Sequence, residues 1–217
     1  IYPPSRVAVT GLSRHDVLAI ADRIYSRENF CATLKLNPNK KIILVITENV
    51  PAPKGEIFLR GALKALKNLA DVQIVIKPHP GEKGEWYNKI VADENIMVTI
   101  LPKDAETFEA LYACDLLVAG FSTLITEAKI LGKPVVSFLP KESADFAPHY
   151  KEVTLRVHKE DDLVSALNKA LFNAKVRAKL KKAGEKFVIE HAYKLDGKAT
   201  ERVANLVEEM LKERESD

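Results

Sequence analysis

Two cysteines, two methionines and one tryptophan are all that this 217-residue chain carries of those types. Cys31 and Cys114 stand too far apart in the sequence to make a metal or redox motif, and Cys114 beside an apolar run reads as a small core residue. His149, His158 and His191 have no partner pattern, so no metal site is expected. No apolar run approaches the ~20 residues that span a bilayer. The opening IYPPSRVAVTG lacks the basic and apolar regions of a signal peptide, and a reducing cytoplasm is the expected compartment. Since the sequence starts without Met, a fragment or a processed chain is expected. There is neither a G-x-G-x-x-G after the first strand nor a G-x-x-x-x-G-K-[ST] loop, which disfavours an NAD-type dehydrogenase and a P-loop NTPase.

Excess charge is lacking too. A formal net charge of +3 argues against nucleic acid as the main partner. The local exception is Lys175–Lys186 (KVRAKLKKAGEK), with six basic residues on a predicted helix. A solvated helical face is one reading of it, and a polyanion patch or peripheral membrane contact is the other.

What is present is alternation. With 47% apolar residues the chain has ample material for a core. Lys41–Ile46, Val72–Ile76, Ile96–Leu101, Leu116–Val118, Val135–Phe138 and Val153–Val157 read as short apolar strands. Helices are predicted over Glu56–Leu69, Gly84–Ala92, Ala105–Ala113, from Ser122 to the stop at Gly132, and over Glu160–Phe172, Lys175–Glu190 and Asp196–Glu213. Six strands with intervening helices imply an α/β, doubly wound, Rossmann-like parallel sheet. An irregular stretch, KESADFAPHYK, precedes the sixth strand. The first 40 residues fit less well: Arg6–Gly11 is strand-like, Asp16–Ser26 helical and Asn29–Lys40 a loop. We read 1–40 as an interdomain linker and 41–217 as the domain.

The most informative stretch is Asp115–Phe138, DLLVAGFSTLITEAKILGKPVVSF. A strand runs through Gly120 into a helix that opens on two hydroxyls, Ser122 and Thr123. Such a helix start can be capped by Ser or Thr or can hold a phosphate. It should lie at the carboxyl edge of the sheet, where open α/β sheets bind ligands. Glu127, one turn on from Thr123, could hold a ribose diol or simply be a solvated acid favoured by the helix dipole. In Lys77–Pro80 (KPHP) two prolines fix a turn that presents Lys77 and His79, and His79 could contact phosphate or base or serve as an acid or base. Thr47 and Glu48, ending the first strand, should face the same crevice.

With these residues together, the chain resembles the C-terminal, donor-binding half of a GT-B glycosyltransferase. It is similar to the CDP-glycerol glycerophosphotransferase and polysialyltransferase type and to the UDP-N-acetylglucosamine 2-epimerases. RVAVTGLSRHD resembles a lead-in V-T-G-x-x-R-x-D, IVIKPHP a His-Pro motif, AGFSTLITEAKILGKPVVSF the hydroxyl-bearing helix, and YKLDGKATERVANLVEEML the closing D-G-K-A-x-x-R helix. The resemblance implies that His79, Ser122 and Thr123 bind nucleotide phosphates and that Glu127 holds the ribose; Thr47 and Lys77, read from their strand ends, are expected in the same site. It implies a nucleotide-activated sugar or polyol phosphate as substrate, with no further cofactor. It also implies a polysaccharide or cell-surface glycoconjugate product and an acceptor domain or partner subunit outside this chain. Two features depart from the pattern. Ala119 stands where many GT-B enzymes carry the first glutamate of E-x7-E, and Ser122 and Thr123 stand where the epimerases show glycines, which favours the transferase branch. An epimerase-like domain and a non-catalytic nucleotide-binding subunit are the alternatives.

Overall fold

In the computed structural model, which describes residues 3, 6–82, 85–140 and 147–216, six parallel strands form one sheet. The strands are β1 (Lys41–Ile46), β2 (Val72–Lys77), β3 (Thr99–Ile100), β4 (Leu116–Ala119), β5 (Val135–Phe138) and β6 (Leu155–Val157), in the order β3-β2-β1-β4-β5-β6. The helices among the described residues are α1 (Ala21–Ile24), α2 (Arg27–Leu34), α3 (Ala52–Lys67), α4 (Trp86–Glu94), α5 (Thr107–Ala113), α6 (Leu124–Ile130), α7 (Glu160–Phe172), α8 (Ala174–His191) and α9 (Ala199–Ser216). A 3-10 helix, Ser13–Ile20, leads in. None of the described helices is long and apolar enough to cross a membrane.

The doubly wound expectation is met because the central strands have two buried faces to cover. Ile42, Leu44 and Ile46 of β1 pack with Phe30, Leu111, Ile125 and Phe187, under α2, α5, α6 and α8. Ile43 and Val45, one residue out of phase, pack with Leu59, Leu63, Ile90 and Leu167, under α3, α4 and α7. A strand's side chains alternate, so each needs a helical layer on both sides. β1 pairs with β2 on one side and β4 on the other, which puts the crossover between β1 and β4. There the loops diverge and leave a crevice beyond the carboxyl ends of the strands.

Three expectations are corrected. Asn29–Lys40 is not a loop throughout: α2 occupies Arg27–Leu34, its Ser26 Oγ accepting from Asn29 N at 3.2 Å, and it buries Phe30 and Cys31. Its four apolar residues, Phe30, Cys31, Ala32 and Leu34, follow no clear period, and contact with the sheet decides the matter. Arg6–Gly11 forms no strand. The third strand shrinks to Thr99–Ile100, because at the sheet's edge it has one neighbour, β2. The predicted helix start at Gly84 and residues 141–146 of the irregular stretch lie outside the described residues.

The stop after α6 follows the expected chemistry. Gly132 adopts φ +66°, Gly132 N donates to Lys129 O and Lys133 N to Ala128 O at 2.8 Å. This is the paired Schellman closure that a left-handed glycine permits. Pro134 then sends the chain into β5. Both cysteines are buried and free, and burial pushes the Cys114 thiol up to about 12.

Candidate functional site

Five of the six candidate residues line one cavity. Thr47 after β1, Lys77 at the end of β2 and His79 just beyond it, and Ser122 and Thr123 before α6 surround a space of about 230 Å³ beside the crossover. Their elements, β2, β1 and β4, are adjacent in the sheet, so three separate loops converge. Glu127, the sixth, lines a neighbouring space of about 410 Å³. Thr123 and Arg14 line both.

The KPHP turn is held from inside. Thr47 Oγ1 accepts from His79 N at 3.0 Å, and Gly81 N donates to His79 Nδ1 at 3.0 Å. With Nδ1 an acceptor, the neutral ring carries its proton on Nε2, which is left to donate. Lys77 differs from a free surface cation. Its buried ammonium donates to Pro78 O at 3.1 Å and Lys103 O at 2.7 Å, bracing two loops. Burial lowers its pKa, against the nearby carboxylates of Asp104, Glu106 and Glu82. Glu82 is buried close by, and burial raises its pKa. The Thr47 hydroxyl is near its carboxylate but makes no hydrogen bond of normal geometry to it.

At the helix start, Ser122 Oγ accepts from Leu124 N at 3.2 Å, whereas the Thr123 side chain makes no capping bond. Two backbone N–H groups just ahead of it are occupied. Glu48 Oε1 accepts from Gly120 N at 3.1 Å and from Phe121 N at 2.6 Å. Burial raises the pKa of Glu48, and the amides of Phe121, Ser122 and Gly120 oppose it. A Cβ on Gly120 would come within 2.6 Å of Glu48 Oε2, so the glycine makes room for the carboxylate. The phosphate site read from the sequence therefore already holds a carboxylate on part of its backbone. What remains available is the Thr123 hydroxyl, the Ser122 O–H and the His79 Nε2–H.

Glu127 is not a solvated acid: it is 2% exposed. Its Oε1 accepts from Arg14 Nη2 at 2.9 Å and lies 3.3 Å from His15 Nε2, while Oε2 is buried without a partner. An unpaired buried acceptor on a cavity wall can take a hydrogen bond from a ligand. Arg14 also lies over the Phe108 ring, 5.2 Å from its centroid.

Arg14 and His15 are thus site-lining residues that the pattern search did not single out. The signal available was the R-H-D of the lead-in motif, since nothing local marks a 3-10 helix as part of a cleft formed 110 residues later. Among the described residues, no group of three or more His, Cys, Asp or Glu side chains could hold a metal ion.

The sheet has a GT-B-like α/β fold. The wall teichoic acid polymerase TagF, in a variant soaked with CDPG, superposes with TM-score 0.67 at 18% identity, over 100% of this chain and 54% of that one. A putative UDP-N-acetylglucosamine 2-epimerase from Listeria monocytogenes gives TM-score 0.68 at 17% identity, over 98% and 55%. The S. aureus MnaA–UDP co-structure gives 0.66 at 16%, over 97% and 55%. The chain spans about half the length of these structures. It belongs to the family described as protein of unknown function DUF354, whose family model matches residues 24–207. No curated protein matches the sequence.

Proposed function

We propose that this domain binds a nucleotide-activated donor, a sugar or a polyol phosphate, for transfer to an acceptor held by a further domain or subunit. The observation that carries the reading is the convergence of Thr47, His79, Ser122 and Thr123 on one cavity that Thr123 and Arg14 join to the space beside Glu127. The neighbouring protein complexed with UDP and the one soaked with CDPG support a ligand of this class.

In this reading the diphosphate lies along Ser122, Thr123 and His79. As the bond to the transferred group breaks, negative charge grows on the departing phosphate. The His79 Nε2–H and the two hydroxyls, fixed before reaction, stabilise that charge with little reorganisation. Arg14 adds a cation at the junction, and Glu127 Oε2 accepts from a ribose hydroxyl. The group that activates the acceptor is assigned to the other domain. Epimerisation of a UDP-sugar is the second reading, favoured by the similarity to the Listeria protein.

Calorimetry with CDP, UDP, CMP and UDP-N-acetylglucosamine tests the binding. At least one diphosphate should bind, and His79→Ala or the Ser122→Ala, Thr123→Ala pair should weaken it roughly tenfold or more, the scale of a lost charge-assisted hydrogen bond. Absence of binding, or binding indifferent to all three residues, sinks the reading. Product analysis with the acceptor domain present separates transfer from epimerisation.

A further inference from the structure

At the opposite edge of the sheet, where Pro134 leads into β5, a cavity of about 260 Å³ lies between the end of α6 and the first turns of α8. Its wall includes four cations, Lys129, Lys133, Arg177 and Lys181, and no carboxylate. Arg177 and Lys181 are exposed, one helical turn apart on the same face of α8. Neither side chain makes an ion pair or hydrogen bond among the described residues. Lys133 is occupied: it donates to Tyr112 O and to Cys114 O at 2.9 Å.

Lys129 is the unusual member. It is 5% exposed, and its stem crosses α8 at Gly184, where an added Cβ would lie 3.1 Å from Lys129 Cδ. Its ammonium donates to one carbonyl, Lys133 O, at 3.1 Å and faces no carboxylate. An ammonium has three hydrogens to donate. A leucine or methionine would fill the same volume without desolvating a charge, and a buried charge ordinarily has a counter-ion. The buried ammonium, the glycine that admits it and the unpaired cations at the rim form one arrangement. An anion in the cavity would satisfy all of them together.

We propose that this cavity binds a phosphate group, separately from the nucleotide cleft and independently of the donor-binding reading. The phosphate could belong to a small molecule or to a lipid headgroup, the chemistry of recognition being the same. Burial lowers the Lys129 pKa to about 7, so a bound anion would favour its charged form.

The test uses the whole chain. Inorganic phosphate is titrated at constant ionic strength with chloride as control, following the lysine side-chain NMR signals, and vesicles of phosphatidic acid in phosphatidylcholine are compared with phosphatidylcholine alone by flotation. The expected result is saturable phosphate binding that shifts the Lys129 signal, with roughly tenfold weaker affinity in Lys129→Met and in the surface pair Arg177→Gln, Lys181→Gln. The exposed control Lys64→Gln, on α3 and at neither cavity, should bind phosphate like the native chain. Flotation with phosphatidic acid that both cavity variants abolish assigns the group to a lipid; its absence beside phosphate binding assigns a small molecule. If phosphate acts no differently from chloride and neither vesicle binds, or if both cavity variants behave like the native chain, the proposal is overturned.

Discussion

Asp16 caps a helix that begins at Ala199. Its Oδ1 accepts from Ala199 N at 2.8 Å, and its Oδ2 accepts from Thr200 N at 2.8 Å and Thr200 Oγ1 at 2.7 Å. Arg202 completes the clasp, its Nη1 donating to both Asp196 oxygens at 2.9 and 2.8 Å and its Nε to Thr10 O at 2.7 Å. The R-H-D of the lead-in and the D-G-K-A of the last helix are therefore one structural unit.

Removing that cap should loosen α9. Asp16→Ala is expected to cost about 1 kcal/mol, the usual scale of an N-cap, and Asp16→Asn clearly less. Desolvation raises the Asp16 pKa, but the bonds from Thr200 and Ala199 and the charge of Arg202 outweigh it and hold it below 3.8. A carboxylate so lowered contributes stability above its unfolded pKa, lost as pH falls through the folded one. Urea denaturation at pH 7 and pH 3 checks both: the Asp16→Ala deficit should be smaller at pH 3.

Glu48 should separate its two roles by substitution. Glu48→Ala leaves the N–H groups of Gly120 and Phe121 without their acceptor, a loss of about 1–3 kcal/mol. Glu48→Gln keeps an acceptor and removes the buried charge. Because the native pKa is raised from 4.5, the folded state holds its proton longer, and stability falls as pH rises from 4.5 through the folded value. Glu82, raised in the same direction, shares that slope. Glu48→Gln should therefore show a shallower decline than the native chain between pH 4 and pH 7 in thermal melts.

Gly132→Ala isolates a backbone effect. An added Cβ meets nothing within 4 Å, so the cost comes from holding alanine at φ +66°. The expected destabilisation is about 1 kcal/mol, read from chemical denaturation. Nucleotide affinity should stay unchanged, since the residue sits at the far edge of the sheet.

Lys129 should leave a signature in alkali. Its ammonium titrates near 10.5 when unfolded and near about 7 when folded, so the unfolded chain binds the extra proton between those values. Stability should then rise from pH 7 towards pH 10 in the absence of phosphate. Burial favours the neutral form, and the groups around it, Lys133 from the loop after α6 and Arg177 and Lys181 from α8, supply no carboxylate to oppose it. Lys129→Met should flatten the rise without abolishing it, because Lys77 and Lys133 are also lowered by burial.

The sheet was legible because its strands are continuous apolar runs bounded by Pro, Gly and Asp, a pattern that needs no partner to interpret. The wall of the cleft was legible for the same reason: Lys77 ends a strand and His79, Ser122 and Thr123 each follow one, so topology brings them together. Orientation within the wall was not. Sequence spacing placed Glu127 near Thr123 but could not show Arg14 gripping it, because that contact spans 113 residues of chain. Nor could it show Glu48 seated on the amides of Gly120 and Phe121, since the room for it comes from a missing Cβ on another strand. The short α2 escaped for the opposite reason, its apolar residues following no clear period and its burial being one that only the assembled sheet creates.

Arg14, His15 and Asp16 are consecutive, and this gives the cleft a mechanical neighbour. The first two hold Glu127 and the third holds the start of α9, all from one 3-10 turn. A ligand oxygen that draws Arg14 away from Glu127 pulls on the same turn that fastens Ala199 and Thr200. Occupancy of the cleft should therefore register as altered hydrogen exchange at the Ala199 and Thr200 amides, far along the chain from Thr123. The last helix becomes a lever whose fulcrum is the turn from Arg14 to Asp16.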